Sequence, residues 1–241
     1  MDTTNKKETL GIIGGLGPLA KACFMEKIIS MTAAKRDQDH IRMLIYNWPD
    51  IPDRTGHILN PDEPDPLPAM RELAIKLQES GVKAIAIPCV TAQFYHERLQ
   101  EGLSVHVMNG VRETAQYLSE TGCKKAGILA TNGTVRSNLF GDVFKEYGID
   151  YCYPSPENQE KVMSIIYDQV KAGNEPDSKG LTIIAKTLLE LGAERVILGC
   201  TELSVIKNRV SFPPYFLDVL DVMARHCVKK FSVLRSEYER L

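Results

Sequence analysis

Two cysteines follow buried-strand patterns at the same spacing. Cys89 comes directly after residues 84–87, a run of small and branched apolar residues without charge, and Cys200 ends a comparable run. Such runs are typical of strands buried on both faces of a parallel sheet, whose carboxyl edge is where ligands bind. Gly81 and Gly192 precede their cysteines by eight residues each (89 − 81 and 200 − 192). We therefore predict one structural unit used twice, with both sulfurs at the ligand-binding edge.

A pair of facing thiols can invert a stereocentre. One thiolate removes a proton from one face of a carbon, and a thiol delivers a proton to the other face. The unperturbed pKa of cysteine, about 8.5, is near enough to neutrality for modest electrostatics to decide which sulfur is charged. Thr91 and Thr201 lie close to the cysteines, and Thr131 and Asn132 lie in a later turn. Their donors would stabilise an enolate-like transition state.

Other interpretations of the cysteines remain open. Free cysteine is often a small buried hydrophobe, which is the role we expect for the unmatched cysteines, Cys23, Cys123, Cys152 and Cys227. The shared setting of Cys89 and Cys200 favours chemistry for that pair. A Cys–His hydrolase using His96 or His226 is a further alternative, although no recognisable spacing joins these histidines to the cysteines.

A repeat along the chain predicts the elements that position this pair. Residues 11–17 and residues 127–133 each read Gly-Ile-apolar followed by a small-residue turn that closes on Gly. Each half thus opens with a strand and a glycine turn and closes on a strand and a cysteine. We predict an α/β protein of two similar lobes, each a parallel-rich sheet flanked by helices. A pseudo-twofold axis would relate the lobes, and the site would lie in the cleft between them.

The predicted boundaries follow from the same repeat. Residues 1–115 form the first lobe and residues 116–217 the second, while the C-terminal helix within 218–241 packs back on the first lobe. Between the predicted second strand and the next helix lies a long proline-rich segment, residues 47–68. A loop of this length is either a surface excursion or a functional lid. Arg54 in its middle favours a lid that brings a cation to a carboxylate.

Composition narrows the partners. The chain has 241 residues, a formal net charge of −2 and no block of five like charges, so nucleic acid and anionic membranes are not indicated. A polar N-terminus and the lack of a long apolar run predict a cytoplasmic protein. The glycine turn at 14–18 does not fit a dinucleotide fingerprint, and the dispersed cysteines predict neither a metal site nor disulfides. A small-molecule ligand is the remaining expectation.

Several segments together resemble the aspartate/glutamate racemase family, within the Asp/Glu/hydantoin racemase superfamily. They cover almost the whole chain in the family's order: Gly14-Gly15-Leu16-Gly17-Pro18, residues 34–40, residues 51–55, Pro88-Cys89-Val90-Thr91-Ala92, residues 130–134 and Leu198-Gly199-Cys200-Thr201-Glu202-Leu203. The resemblance implies cofactor-independent racemisation of an acidic amino acid, catalysed by Cys89 and Cys200 in alternating acid and base roles. It also implies a homodimer.

The same resemblance assigns the substrate contacts. Thr91, Thr131 and Thr201 would bind the α-carboxylate or orient the substrate. Arg54 and Lys161 would hold the side-chain carboxylate, as a dicarboxylate requires two cations. Leu16 and Val90 complete the predicted substrate-binding residues.

Val90 departs from the family pattern, which usually has Asn after the first cysteine. The change removes an amide donor and acceptor, at a cost of about 1–3 kcal/mol if substrate groups are left unpaired. Hydantoin racemisation and maleate isomerisation are therefore alternatives that use the same cysteine pair. A carboxylate-binding protein without catalysis is another, against which the retention of both cysteines and both cations argues. A pyridoxal phosphate mechanism would need a Schiff-base lysine that the two-cysteine interpretation does not require.

Overall fold

The computed structural model describes residues 7–241, which contain two four-stranded parallel sheets. The first has the order β2-β1-β3-β4 and the second the order β6-β5-β7-β8. The strands are β1 (Thr9–Gly14), β2 (Arg42–Asn47), β3 (Ala84–Ala86), β4 (His106–Val107), β5 (Lys125–Leu129), β6 (Asp150–Cys152), β7 (Arg195–Leu198) and β8 (Phe216–Asp218). Every neighbouring pair is parallel.

Helices connect the strands and cover the sheets. They are α1 (Pro18–Met31), α2 (Arg54–Leu59), α3 (Leu67–Glu79), α4 (His96–Gln100), α5 (Gly110–Glu120), α6 (Asn132–Arg136), α7 (Leu139–Glu146), α8 (Pro156–Ser164), α9 (Ser178–Glu190), α10 (Thr201–Lys207) and α11 (Val219–Phe231). A π-helical segment, Ile165–Lys171, continues α8. Within residues 7–241, no helix has the length and apolar character that a membrane crossing requires.

The two sheets confirm the predicted two-lobed architecture, because equivalent strands occupy equivalent positions in the two orders. The repeated glycine explains part of the shared sequence. A Cβ on Gly11 in β1 would lie 3.2 Å from Leu77 of α3, and a Cβ on Gly127 in β5 would lie 2.7 Å from Leu188 of α9. Glycine at the same point of each central strand lets the helix that precedes β3 or β7 pack closely.

Helix α11 joins the lobes by packing against α1 and α5, which follow strands of the first sheet. A buried ion pair supports this contact, with Lys27 Nζ 2.5 Å from Asp221 Oδ1. The helix ends at Phe231, whereas the sequence predicts a C-terminal helix over residues 218–241. The chain becomes extended there so that Leu234 forms a bridge with Thr32, and the terminal residue returns to α5, where its amide donates to the hydroxyl of Tyr117.

The proline-rich segment contains a short helix, α2, rather than being irregular throughout. The carboxylate of Asp53 begins this helix by accepting a hydrogen bond from the amide of Gly56 at 2.7 Å. Helix α2 packs against α6, which follows β5 of the second sheet. A segment of the first half of the chain therefore bridges to the second lobe above the sheet edges.

Candidate active site

A small cavity lies between the lobes, at the carboxyl ends of β3 and β7. Both sulfur-bearing residues line it and are almost completely buried, Cys89 being 6% and Cys200 4% exposed. The full set of lining residues is Leu16, Asp53, Arg54, Thr55, Cys89, Val90, Thr91, Thr131, Tyr167, Lys171, Cys200, Thr201 and Glu202.

The backbone at each strand end turns the cysteines into this cavity. Cys89 follows β3, and its amide donates to the carbonyl of Ile87 at 2.7 Å, in a tight turn that leads to a 3-10 segment. Cys200 is the last extended residue before α10. The shared strand-to-helix change at the sheet edge is why the same sequence spacing delivers both sulfurs to one site.

Cys200 is held as a thiol. Its sulfur donates to Glu202 Oε2 at 3.0 Å. Burial and the negative charge of Glu202 raise the pKa of the Cys200 thiol well above its ordinary value. The other carboxylate oxygen, Oε1, lies 3.0 Å from Nζ of Lys171. Burial would lower the pKa of Lys171, but Glu202 and Cys200 raise it overall, so this lysine is an ammonium.

Arg54 provides a fixed positive charge near Cys89. Its guanidinium donates to the carbonyls of Leu16, Ile51 and Pro52, at 3.1, 3.2 and 2.9 Å. Burial would lower the pKa of Arg54, whereas charge on Cys89 and on Asp53 raises it, with the net effect upward. The buried Nε atom has no hydrogen-bond partner. The cavity wall beside Cys89 therefore combines a permanent cation with an unused donor.

Three buried threonine hydroxyls meet across the cleft. Thr91 Oγ1 lies 3.0 Å from Thr131 Oγ1 and 3.2 Å from Thr134 Oγ1. Thr131 also begins α6 by accepting from the amide of Thr134 at 3.3 Å. Thr91 follows β3 and the other two follow β5, so the cluster joins the lobes. Hydroxyls that can exchange donor and acceptor roles suit the recognition of a small carboxylate.

Tyr167 lies at the edge of the cavity, against the beginning of α2. Its hydroxyl lies 3.3 Å from both carboxylate oxygens of Asp53, the residue that begins α2. Burial raises the pKa of Tyr167 to about 12, so it remains a hydrogen-bond donor at neutral pH. Tyr167 and Lys171 both belong to the π-helical segment, and such segments occur often at functional sites.

The residues predicted for the site line the cavity, with the exceptions of Lys161 and Asn132. That lysine is 56% exposed on α8, with Nζ 2.7 Å from Glu157, and it lies outside the cavity. The expectation for Lys161 is corrected by its position, since the lysine of the cavity is Lys171. Choosing between the two requires the register of the π-helical segment, which helical periodicity does not provide.

Sequence reasoning missed further residues at the site. Glu202 stands two positions after Cys200, in a motif already noted, and that proximity was the available signal. Asp53 and Thr55 flank Arg54 in the segment 51–55 that was already noted, and that proximity was their signal. Asn132, considered as a donor, instead accepts from Gln159 Nε2 at 2.9 Å outside the cavity.

The fold and the site define a class of two-lobed α/β proteins in which each lobe contributes one cysteine to the cavity between them. Comparison with known proteins identifies a family of this class. The family described as Asp/Glu/Hydantoin racemase matches residues 13–227. The chain belongs to this family.

Individual relatives cover nearly the whole chain. The broad specificity amino-acid racemase RacX of Bacillus subtilis is 27% identical over 231 residues, covering 94% of this chain and all of the relative. The structure of Picrophilus torridus aspartate racemase superposes with a TM-score of 0.81 at 30% identity, covering 96% of this chain and 97% of the other. The structure of glutamate racemase from Francisella tularensis, at 18% identity and a TM-score of 0.62, shares the fold over 93% of this chain and 80% of its own.

Proposed function

We propose that this protein is a cofactor-independent amino-acid racemase in which Cys89 and Cys200 act as alternating acid and base. One observation carries the proposal: equivalent strands of the two lobes deliver the two cysteines to a single cavity. Two bases on opposite walls can reach opposite faces of one α-carbon. The family to which the chain belongs supports the same reaction class.

The surroundings of the cysteines suggest which one begins as the base. Cys89 is the candidate for the first base, because Cys200 is held as a thiol. The Cys89 thiolate would take the α-proton and leave the electron pair of the C–H bond on the substrate as a carbanion stabilised by the carboxylate. Cys200, held as a thiol beside Glu202, would then donate its proton to the opposite face of the carbon. The enzyme is left with a Cys89 thiol and a Cys200 thiolate. Reverse turnover, or proton exchange with solvent, restores the first form.

Aspartate is the substrate that the charges of the cavity favour, with glutamate as its longer analogue. Arg54, with its unused Nε donor, and Lys171 are the two cations available to a dicarboxylate. The threonines Thr91, Thr131 and Thr201 would hold the α-carboxylate. Lys171 takes over the role that the sequence assigned to Lys161.

A less polar amino acid is the second candidate, and two observations favour it. Val90, 1% exposed, places an apolar side chain in the wall. Lys171 is already paired with Glu202 at 3.0 Å, so its charge is partly used. The Bacillus subtilis relative is described as having broad specificity. Hydantoins and maleate belong in the same substrate comparison.

The proposal extends to the state of the enzyme in the cell. We place it in the cytoplasm as a homodimer that needs no pyridoxal phosphate. The protonated state of Lys171 argues against a Schiff base at this residue. A lysine whose pKa is raised by a carboxylate at 3.0 Å is a poor nucleophile. Racemisation by a purified protein that shows no bound chromophore and receives no added cofactor would agree with this part of the proposal.

The decisive test is turnover by purified protein in D2O without added cofactor. L-Aspartate, L-glutamate, L-alanine, L-methionine, a 5-substituted hydantoin and maleate are supplied separately. Loss of circular dichroism together with α-deuteration, measured by NMR, establishes racemisation and identifies its substrate. Turnover of aspartate alone supports the acidic assignment, whereas turnover of alanine or methionine supports the second candidate. Inactivity of a folded protein on every amino acid would contradict the proposed function.

A further inference from the structure

A second cavity lies between α5 and α11, and none of its lining residues belongs to the candidate active site. Its volume is about 320 Å³. Helix α5 contributes Glu113, Gln116, Tyr117 and Glu120, while α11 contributes Val222, Arg225, His226, Lys229 and Lys230. These helices follow β4 and β8, the last strand of each sheet. The cavity therefore lies where the two lobes are joined.

Glu113 is the unusual residue of this cavity. Its side chain is only 10% exposed, and Oε2 is buried without any hydrogen-bond partner. The other oxygen, Oε1, lies 3.9 Å from His226 Nε2. An unpaired buried acceptor is costly, and native structures rarely contain one without a reason. Because Glu113 lines the cavity, its incompletely paired carboxyl group points to a ligand that donates hydrogen bonds.

Basic groups stand opposite this carboxyl. Arg225 and Lys229 are engaged by Glu239, with distances of 3.7 and 2.8 Å to Oε2. Within residues 7–241, Lys230 has no carboxylate close enough for an ion pair, while its charge acts on both Glu113 and His226. The cavity thus offers one buried acceptor and one available ammonium. That pattern suits a small molecule with a positive group at one end and a negative group at the other.

We propose that the cavity between α5 and α11 binds a free zwitterionic α-amino acid, with its ammonium on Glu113 and its carboxylate on Lys230 and His226. A phosphate would face the unpaired carboxyl without a matching donor. A simple amine would leave Lys230 unused. This site is additional to the proposed racemase centre and does not depend on turnover there.

Binding should be linked to proton release. Burial raises the pKa of Glu113 to about 8, against the opposing charge of Lys230. The groups that face this carboxyl are His226, Cys227 and Lys230 on α11, and His106 of β4 acts on His226. Burial and Lys230 lower the pKa of His226, which is neutral near pH 7. A ligand ammonium favours the ionised carboxylate, so affinity should rise between pH 6.5 and pH 8.5.

The test reads the site directly through His226. Wild-type protein labelled with ¹³C at its histidines is titrated with glycine and with L-aspartate, and the His226 resonance is assigned with His226→Gln. Glycine has no stereocentre, so its binding is independent of racemisation. The expected result is a saturable shift of His226 with both amino acids and none with acetate or methylamine at equal concentration.

Variants separate this site from the catalytic one. At pH 8.5, above the pKa of Glu113, Glu113→Gln should weaken glycine binding about tenfold or more, because the charged acceptor is lost. Glu79→Gln, at an exposed position on α3, should leave binding unchanged. The Cys89→Ala/Cys200→Ala protein should bind as well as wild type, even if it is catalytically inactive. No His226 shift with either amino acid, or equal affinity in Glu113→Gln, would overturn the proposal.

Discussion

The surroundings of the two cysteines differ more than the lobes that carry them. β3 and β7 occupy the same place in their sheets, and each ends in a cysteine followed by a helical turn. Cys89 stands near a buried guanidinium, whereas Cys200 donates to a carboxylate at 3.0 Å. Topological symmetry thus places the two cysteines at equivalent strand ends, while the charged groups beside them differ in sign. A two-base reaction requires both properties.

Removing either sulfur should have the largest effect. Cys89→Ala and Cys200→Ala should each lower the racemisation rate by about 10²–10⁴-fold, since each loses one proton-transfer group. The rate is followed by circular dichroism of the proposed substrate. Cys152→Ala is the matched control, because that half-buried cysteine lies outside the cavity. Full racemase activity in either Cys89→Ala or Cys200→Ala would contradict the claim that each lobe contributes one proton-transfer group.

Neutralising Glu202 should make the two cysteines more alike. In Glu202→Gln, the negative charge that raises the pKa of Cys200 is gone, so that pKa should fall. In the direction of turnover that begins from a Cys200 thiolate, kcat/KM should then begin to rise at lower pH than in the wild type. The pH dependence of kcat/KM in both directions measures this change. Glu97→Gln, in α4 and outside the cavity, serves as the control; identical limbs in wild type and Glu202→Gln would contradict the role of this charge.

Replacing Arg54 tests the other half of the asymmetry. Arg54→Lys keeps a positive charge but cannot make the same three contacts with Leu16, Ile51 and Pro52. We expect KM to rise about tenfold, as a net loss of one or two hydrogen bonds implies. Steady-state kinetics beside Arg36→Lys, an exposed position, provides the measurement. An unchanged KM would show that the substrate does not depend on this guanidinium.

Removing the contact between Tyr167 and Asp53 at the start of α2 should have the smallest effect. Tyr167→Phe removes the hydroxyl that donates to Asp53 at 3.3 Å, a contact worth about 0.5–1.5 kcal/mol. KM should rise by a few fold, and the amide of Gly56 should exchange faster with solvent. Tyr151→Phe removes a hydroxyl bonded to Asn138 outside the cavity and should change neither property. Unaltered exchange of the Gly56 amide in Tyr167→Phe would mean that Tyr167 does not stabilise α2.

The lobes and the cysteine pair could be predicted from the sequence because they follow from local, repeated patterns, whereas Leu16 and Val90 were assigned to the cavity by the resemblance to a known family. Strand runs and glycine turns recur in each half, so the sulfurs and threonines at the sheet edges could be placed without coordinates. Lys171 and Tyr167 could not, since a π-helical segment changes the face that follows α8. The position of Glu202 close to Cys200 was visible in the sequence, but the contact between their side chains was not. Its influence on Cys200 depends on a 3.0 Å contact that only the fold creates.

The central claim is that each cysteine serves one face of the α-carbon, and enantiomer-specific exchange tests it most directly. Cys89→Ala and Cys200→Ala are incubated separately in D2O with pure L- and pure D-substrate, and α-deuteration is followed by NMR. A remaining thiolate can remove and return a proton on its own face without inversion. We predict that each variant exchanges one enantiomer only, and that the two variants exchange opposite enantiomers. Exchange of the same enantiomer by both variants would contradict the two-base account.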